Sequence, residues 1–171
     1  MERSYEDYRE REHAVTNELQ LLIESLEKKK TILNEILTRS RMQGELALAE
    51  PFDAQHFDLL VDEKSELLMQ MDKLDQGFDA VYHRIKEELL CGKDAYKAEI
   101  ADMQQLIGET IELGAGIHAT EARTKESVGN ALKNSRQELK QRRVLSKSVM
   151  DYYKASSQLG QMEPYFIDKK K

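Results

Sequence analysis

Apolar residues recur along the first forty positions at alternating steps of three and four. Tyr5, Tyr8, Val15, Leu19, Leu22, Leu26, Leu33 and Ile36 occupy the two seam positions of a heptad, with Glu12 and Lys29 interrupting it. Glu18, Glu24, Glu27, Lys28 and Lys30 mostly face water, so the segment predicts a helix that buries one stripe against partner helices. The pattern fades after Arg41, and Gly44 is the expected place for this helix to fray or end.

Glu50-Pro51-Phe52-Asp53 marks a boundary. A residue before proline is pushed out of helical geometry, and Asp53 can cap the backbone donors of a following helix. That second helix carries Phe57, Leu60, Leu67, Met71, Leu74, Phe78, Val81 and Ile85 on one seam, widened by Leu68, Tyr82 and Leu89. Gly77 lies inside it, where it weakens the helix by about 1 kcal/mol relative to alanine and invites a close neighbour. Gly92 and Asp94 then supply a helix stop and a fresh N-cap for a tight reversal.

The third helix keeps an apolar face through Tyr96, Ile100, Met103, Leu106, Ile107, Ile111, Leu113 and Ile117. Continuous from Asp94 to Tyr153 it would reach about 90 Å, longer than either partner. Between Thr120 and Arg143 the pattern thins to Val128, Ala131, Leu132 and Leu139, which reads as too polar for a buried helix. Apolar residues return at Val144, Leu145, Val149, Tyr152 and Tyr153 on one helical face. The expected organisation is therefore all-α: an antiparallel three-helix coiled-coil-like bundle over 1–120 with a long third helix, an amphipathic C-terminal helical arm over 121–158, and a flexible tail over 159–171. Gly114 and Gly116 leave open whether the third helix bends or admits a close neighbour.

Composition agrees with long helices. Proline occurs twice, tryptophan is absent and aromatics make up 6% of the chain. The net charge of −6 conceals an asymmetry: residues 45–120 carry −11 and residues 121–147 carry +5. The basic stretch is short and lacks interleaved aromatics, and the acidic remainder would repel phosphate, so nucleic acid is not the expected partner. Arg136, Lys140, Arg142, Arg143 and Lys147 read as a solvated face that can also steer acidic partners.

Candidate chemistry is sparse. Cys91, the single cysteine, forms no intramolecular disulfide, which fits a reducing cytoplasm. His13, His56, His83 and His118 stand apart, without an i+4 His or Cys partner, so no metal is expected. There is no glycine-rich phosphate loop or nucleophile elbow, and the carboxylates form no pattern of a pKa-perturbing pocket. No catalysis and no cofactor are expected. No segment approaches the roughly 20 apolar residues that span a bilayer, and the N-terminus lacks a signal-peptide core, so a soluble cytoplasmic protein is expected. What remains is protein binding through the arm, for which Val128, Leu132, Leu139, Leu145, Val149, Tyr152 and Tyr153 are the candidate residues.

The run Leu60-Val61-Asp62-Glu63-Lys64-Ser65-Glu66-Leu67-Leu68, continuing through Lys73-Leu74-Asp75-Gln76-Gly77-Phe78-Asp79, resembles the middle helix of flagellar export chaperones of the FlgN type, in their Gram-positive version. Tyr152-Tyr153 and the ending Tyr165-Phe166-Ile167-Asp168-Lys169-Lys170-Lys171 resemble that group too, and the similarity in pattern runs from about Leu19 to the end. The resemblance implies a cytoplasmic helical chaperone that keeps hook–filament junction proteins unpolymerised and delivers them to the flagellar export gate. It also implies cargo binding by the C-terminal region and a docking tyrosine at either Tyr152 or Tyr153. The tail is longer than in the shorter family members, which leaves open which part of the arm takes cargo. A structural coiled-coil homo-oligomer or scaffold without cargo is the competing expectation.

Overall fold

The computed structural model describes residues 2–134, 150–152 and 154, and the side chains of 11–132, 150–152 and 154. Three long helices pack against one another: α1, Glu2–Leu48; α2, Ala54–Cys91; and α3, Lys97–Asn134. At 1.5 Å per residue, the 47 residues of α1 extend about 70 Å, and this helix is longer than the 38-residue described length of α3. Residues 135–149, which would decide whether α3 runs on toward Tyr153, lie outside the described residues, as does the 159–171 tail.

Burial explains why α1 is the central element, with α2 and α3 both packed chiefly on it. Buried positions 15, 19, 22, 26, 29, 33, 36, 40, 43 and 47 form an unbroken alternation of four and three, and Leu37 widens the stripe. The helix does not stop at Gly44, as the fading pattern implied, because Ser40, Gln43 and Ala47 continue the seam and are all buried. Gly44 itself faces α3: a Cβ there would lie 3.2 Å from Thr124 Oγ1. The glycine marks a close crossing, not an end.

Cross-helix pairs fix the register. Glu18 meets Arg84, Lys29 meets Asp75 and Arg39 meets Glu63, so α2 numbers fall as α1 numbers rise. Lys30 with Glu109, and Ser40 with Glu121, put α3 alongside α1 in the same order. Lys29, which interrupts the heptad in sequence, is 6% exposed and places Nζ 2.6 Å from Asp75 Oδ1. Its charge is answered across the seam.

Three apolar clusters follow one another along the bundle. At one end Leu19, Leu22 and Leu26 pack with Ile85, Leu89 and Met103. In the middle Leu33, Ile36, Leu67, Met71 and Ile117 close together. At the far end Ala47, Ala54, Phe57, Val61 and Val128 gather around Tyr152.

The connections differ in detail from expectation. Asp53 caps α2 as anticipated, accepting a hydrogen bond from the His56 backbone N–H at 3.0 Å. The second connection is longer than a Gly92–Asp94 reversal, because residues 93–96 form turns and α3 starts at Lys97, so Asp94 is not its N-cap. Gly92 stops α2 without a left-handed backbone (φ −110°), its N–H bonding to the Glu88 carbonyl. Space is what it supplies, since a Cβ would lie 3.1 Å from that carbonyl oxygen and 3.3 Å from the Tyr96 ring. Gly77, expected to admit a close neighbour, has none: nothing lies within 4 Å of the position its Cβ would take.

Candidate functional site

Polar residues occupy the seam between the middle and far clusters, and there all three helices contribute a side chain. Ser40 on α1, Lys64 on α2 and Glu121 on α3 fall on heptad seam positions and are at most 3% exposed. The seam spacing explains their burial: Lys64 lies between Leu60 and Leu67, and Glu121 between Ile117 and Thr124. Glu121 Oε1 accepts from Lys64 Nζ at 2.5 Å and from the Ser40 hydroxyl. Lys64 Nζ also lies 3.4 Å from Ser40 Oγ. Gln43 donates to the Phe57 carbonyl at 3.1 Å, so the next seam position is polar and satisfied as well.

The fourth participant comes from the C-terminal region. Met150–Tyr152 is helical, and Tyr152 turns inward with only 3% of its surface exposed. Its hydroxyl donates to Glu121 Oε1 at 3.2 Å, and its ring lies over Lys64 with Nζ 3.8 Å from the centroid. On one straight helix Glu121 and Tyr152 would stand about 46 Å apart, so Tyr152 does not belong to a straight continuation of α3. A ring in this place does two jobs. It buries apolar area against Phe57, Val61 and Val128, and it offers its negative face to the ammonium.

The electrostatics follow from dryness. Burial lowers the Lys64 pKa to about 8 from its ordinary 10.5, because desolvation penalises the cation more than the Glu121 carboxylate and its hydrogen bond support it. Glu121 Oε2 is buried and meets no donor among the described residues. One carboxylate oxygen thus receives three donors and the other none. A buried ion pair of this kind adds little to net stability, whereas losing either partner is severe.

The candidate binding residues divide three ways. Val128 and Tyr152 meet in the far cluster, with Leu132 half-buried against it. Leu139, Leu145, Val149 and Tyr153 lie outside the described residues, as do the bases Arg136, Lys140, Arg142, Arg143 and Lys147. The stretch after Thr120, expected from sequence to be too polar for burial, continues α3 without a break as far as Asn134, and Glu121, Thr124 and Val128 are buried along it. Its polar residues are matched by Ser40, Lys64 and the Gly44 crossing, which is why they tolerate burial.

No group of His, Cys, Asp and Glu side chains among the described residues is placed to hold a metal ion. No described helix is long and apolar enough to cross a membrane. Set against known protein families, curated proteins and solved structures, the chain matches none of them.

Proposed function

We propose that the chain is a cytoplasmic flagellar export chaperone of the FlgN type, which binds hook–filament junction proteins and delivers them to the export gate. In this reading the three helices form an antiparallel coiled-coil-like bundle that carries a C-terminal binding arm. The observation that supports it best is the seating of Tyr152. Tyr152, on a short helical stretch near the C-terminus, is seated in a hollow walled by α1, α2 and α3, so this end of the bundle can take up a side chain presented by a further helical segment. Amphipathic helices that lack part of their own core complete it on a partner's apolar face, which is how a chaperone shields a subunit from self-association. Val128, Leu132, Leu139, Leu145, Val149, Tyr152 and Tyr153 are the residues assigned to cargo, with one of the two tyrosines docking on the gate.

The test uses purified hook–filament junction proteins and three forms of the chain: full length, ending at Val149, and carrying Tyr152→Ala with Tyr153→Ala. Stoichiometric binding by the full chain that weakens at least roughly tenfold in both altered forms supports the reading. Self-association in all three forms, with no binding to any junction protein, would leave the homo-oligomeric scaffold as the better account.

A further inference from the structure

The Tyr152 contact has a cost for any binding function of the arm. Two of the residues assigned to cargo, Val128 and Tyr152, are already buried in one cluster, at 4% and 3% exposure. We infer that Tyr152 is a latch: it seats the C-terminal segment of the same chain in the hollow of Ala47, Ala54, Phe57, Val61 and Val128, and the closed state hides both the hollow and the tyrosine from a partner.

Chain length permits closure within one molecule. Fifteen residues separate Asn134 from Met150, and that length extends to about 50 Å. The return from the end of α3 to the level of Glu121 requires only about 20 Å.

The contact is also built to open. Its apolar part is one ring on a small cluster, and the segment's other described residues, Met150, Asp151 and Lys154, are exposed. Its polar part is an ion pair with one oxygen unmet among the described residues, and the pair regains hydration when the ring lifts. Opening therefore returns solvation to Lys64 and Glu121 while it frees the Tyr152 ring. A segment whose described flanking residues are exposed belongs to the low-stability end of a structure's local openings.

The masking of partner surface rests on the chaperone reading, whereas the latch is measured in the free chain, so the two fail separately. Hydrogen exchange with peptide-level readout would be run on full-length wild type, Tyr152→Ala, Tyr152→Phe and Val61→Ala, each at two concentrations tenfold or more apart. Tyr152→Ala is expected to speed exchange at 57–64 and 121–128 by at least roughly tenfold, because a desolvated cation–π contact and a buried ring are lost together. Residues 19–26 and 85–103 should be unchanged. Tyr152→Phe keeps the ring and should move exchange much less, and Val61→Ala should deprotect 150–154 from the opposite side. Unchanged exchange in the hollow of Tyr152→Ala, or a rise spread equally to the far end, overturns the latch. Protection of 150–154 that falls on dilution overturns it as well, since the segment would then come from a second copy.

Discussion

Lys64 Nζ is held between the Glu121 carboxylate at 2.5 Å and the face of the Tyr152 ring, whose centroid is 3.8 Å away. The cation is wholly buried and its two main partners come from other segments, so the three cannot be altered independently. Lys64→Met leaves Glu121 as an uncompensated buried carboxylate and should destabilise the chain by about 3–5 kcal/mol. Adding Glu121→Leu removes the stranded charge and should recover most of that loss. Urea titrations of the single and double variants give the comparison. A double variant no more stable than Lys64→Met would mean that lost packing, not charge, sets the cost.

The same lysine predicts a pH dependence. Its folded pKa of about 8 lies below the ordinary 10.5, so between those values the unfolded chain binds more protons and folding becomes more favourable as pH rises. The contribution is fully present above the unfolded value and lost as pH falls through about 8. Unfolding midpoints at pH 7 and pH 9.5 should therefore rise for the wild type relative to the Lys64→Met, Glu121→Leu double variant, which lacks the group. Parallel curves for the two proteins would place Lys64 in a wetter site than the structure shows.

Which parts of this arrangement can be read in the sequence depends on whether a seam position carries an apolar or a polar residue. Hydrophobicity picks out Leu19, Leu22, Leu67, Met71 and Ile117, and the three helices follow from them, with Asp53 marking the start of α2 by its capping chemistry. Ser40, Gln43, Lys64, Glu121 and Thr124 escape the same test, because each is polar at a position whose spacing alone says buried. The heptad spacing, followed through the polar residues, carries α1 past Gly44 and the buried seam of α3 past Thr120. The partnering itself is less accessible. That Lys64 meets Glu121 depends on the relative stagger of α2 and α3, which short loops constrain but do not specify. The return of Tyr152 is further removed still, since it requires the chain to approach α2 and α3 from outside the heptad pattern altogether.

Two glycines within helices should respond oppositely to alanine. Gly77 has open space where its Cβ would go, so Gly77→Ala should stabilise the chain by about 1 kcal/mol through helix propensity alone. Gly44→Ala gains the same propensity but drives a methyl to 3.2 Å from the hydroxyl of Thr124, itself 2% exposed. That group has little room to yield, so the gain should be cancelled or reversed. Thermal unfolding of the two variants separates them. A clear rise in Tm for Gly44→Ala would mean that α1 and α3 move apart at little cost there.

Asp58 lies one turn before Asp62 on α2, and its Oδ1 is buried without a hydrogen-bond partner among the described residues. Burial first, and the Asp62 charge second, raise its pKa above the ordinary carboxylate value. An acid with a raised folded pKa binds its proton more readily in the folded chain, so its ionisation opposes folding at neutral pH and the penalty fades as pH falls. Asp58→Asn removes the charge at near-constant volume and relieves a like-charge i, i+4 contact, which should add about 0.2–0.5 kcal/mol at pH 7. The advantage over wild type should shrink toward pH 4, where Asp58 is increasingly protonated, and urea midpoints at both pH values report it. An advantage of equal size at both would trace the gain to the amide's own hydrogen bonds instead. Asp58 stands one residue after Phe57 in the wall of the Tyr152 hollow, so removing its charge should also firm the first turns of α2 against which the C-terminal segment closes.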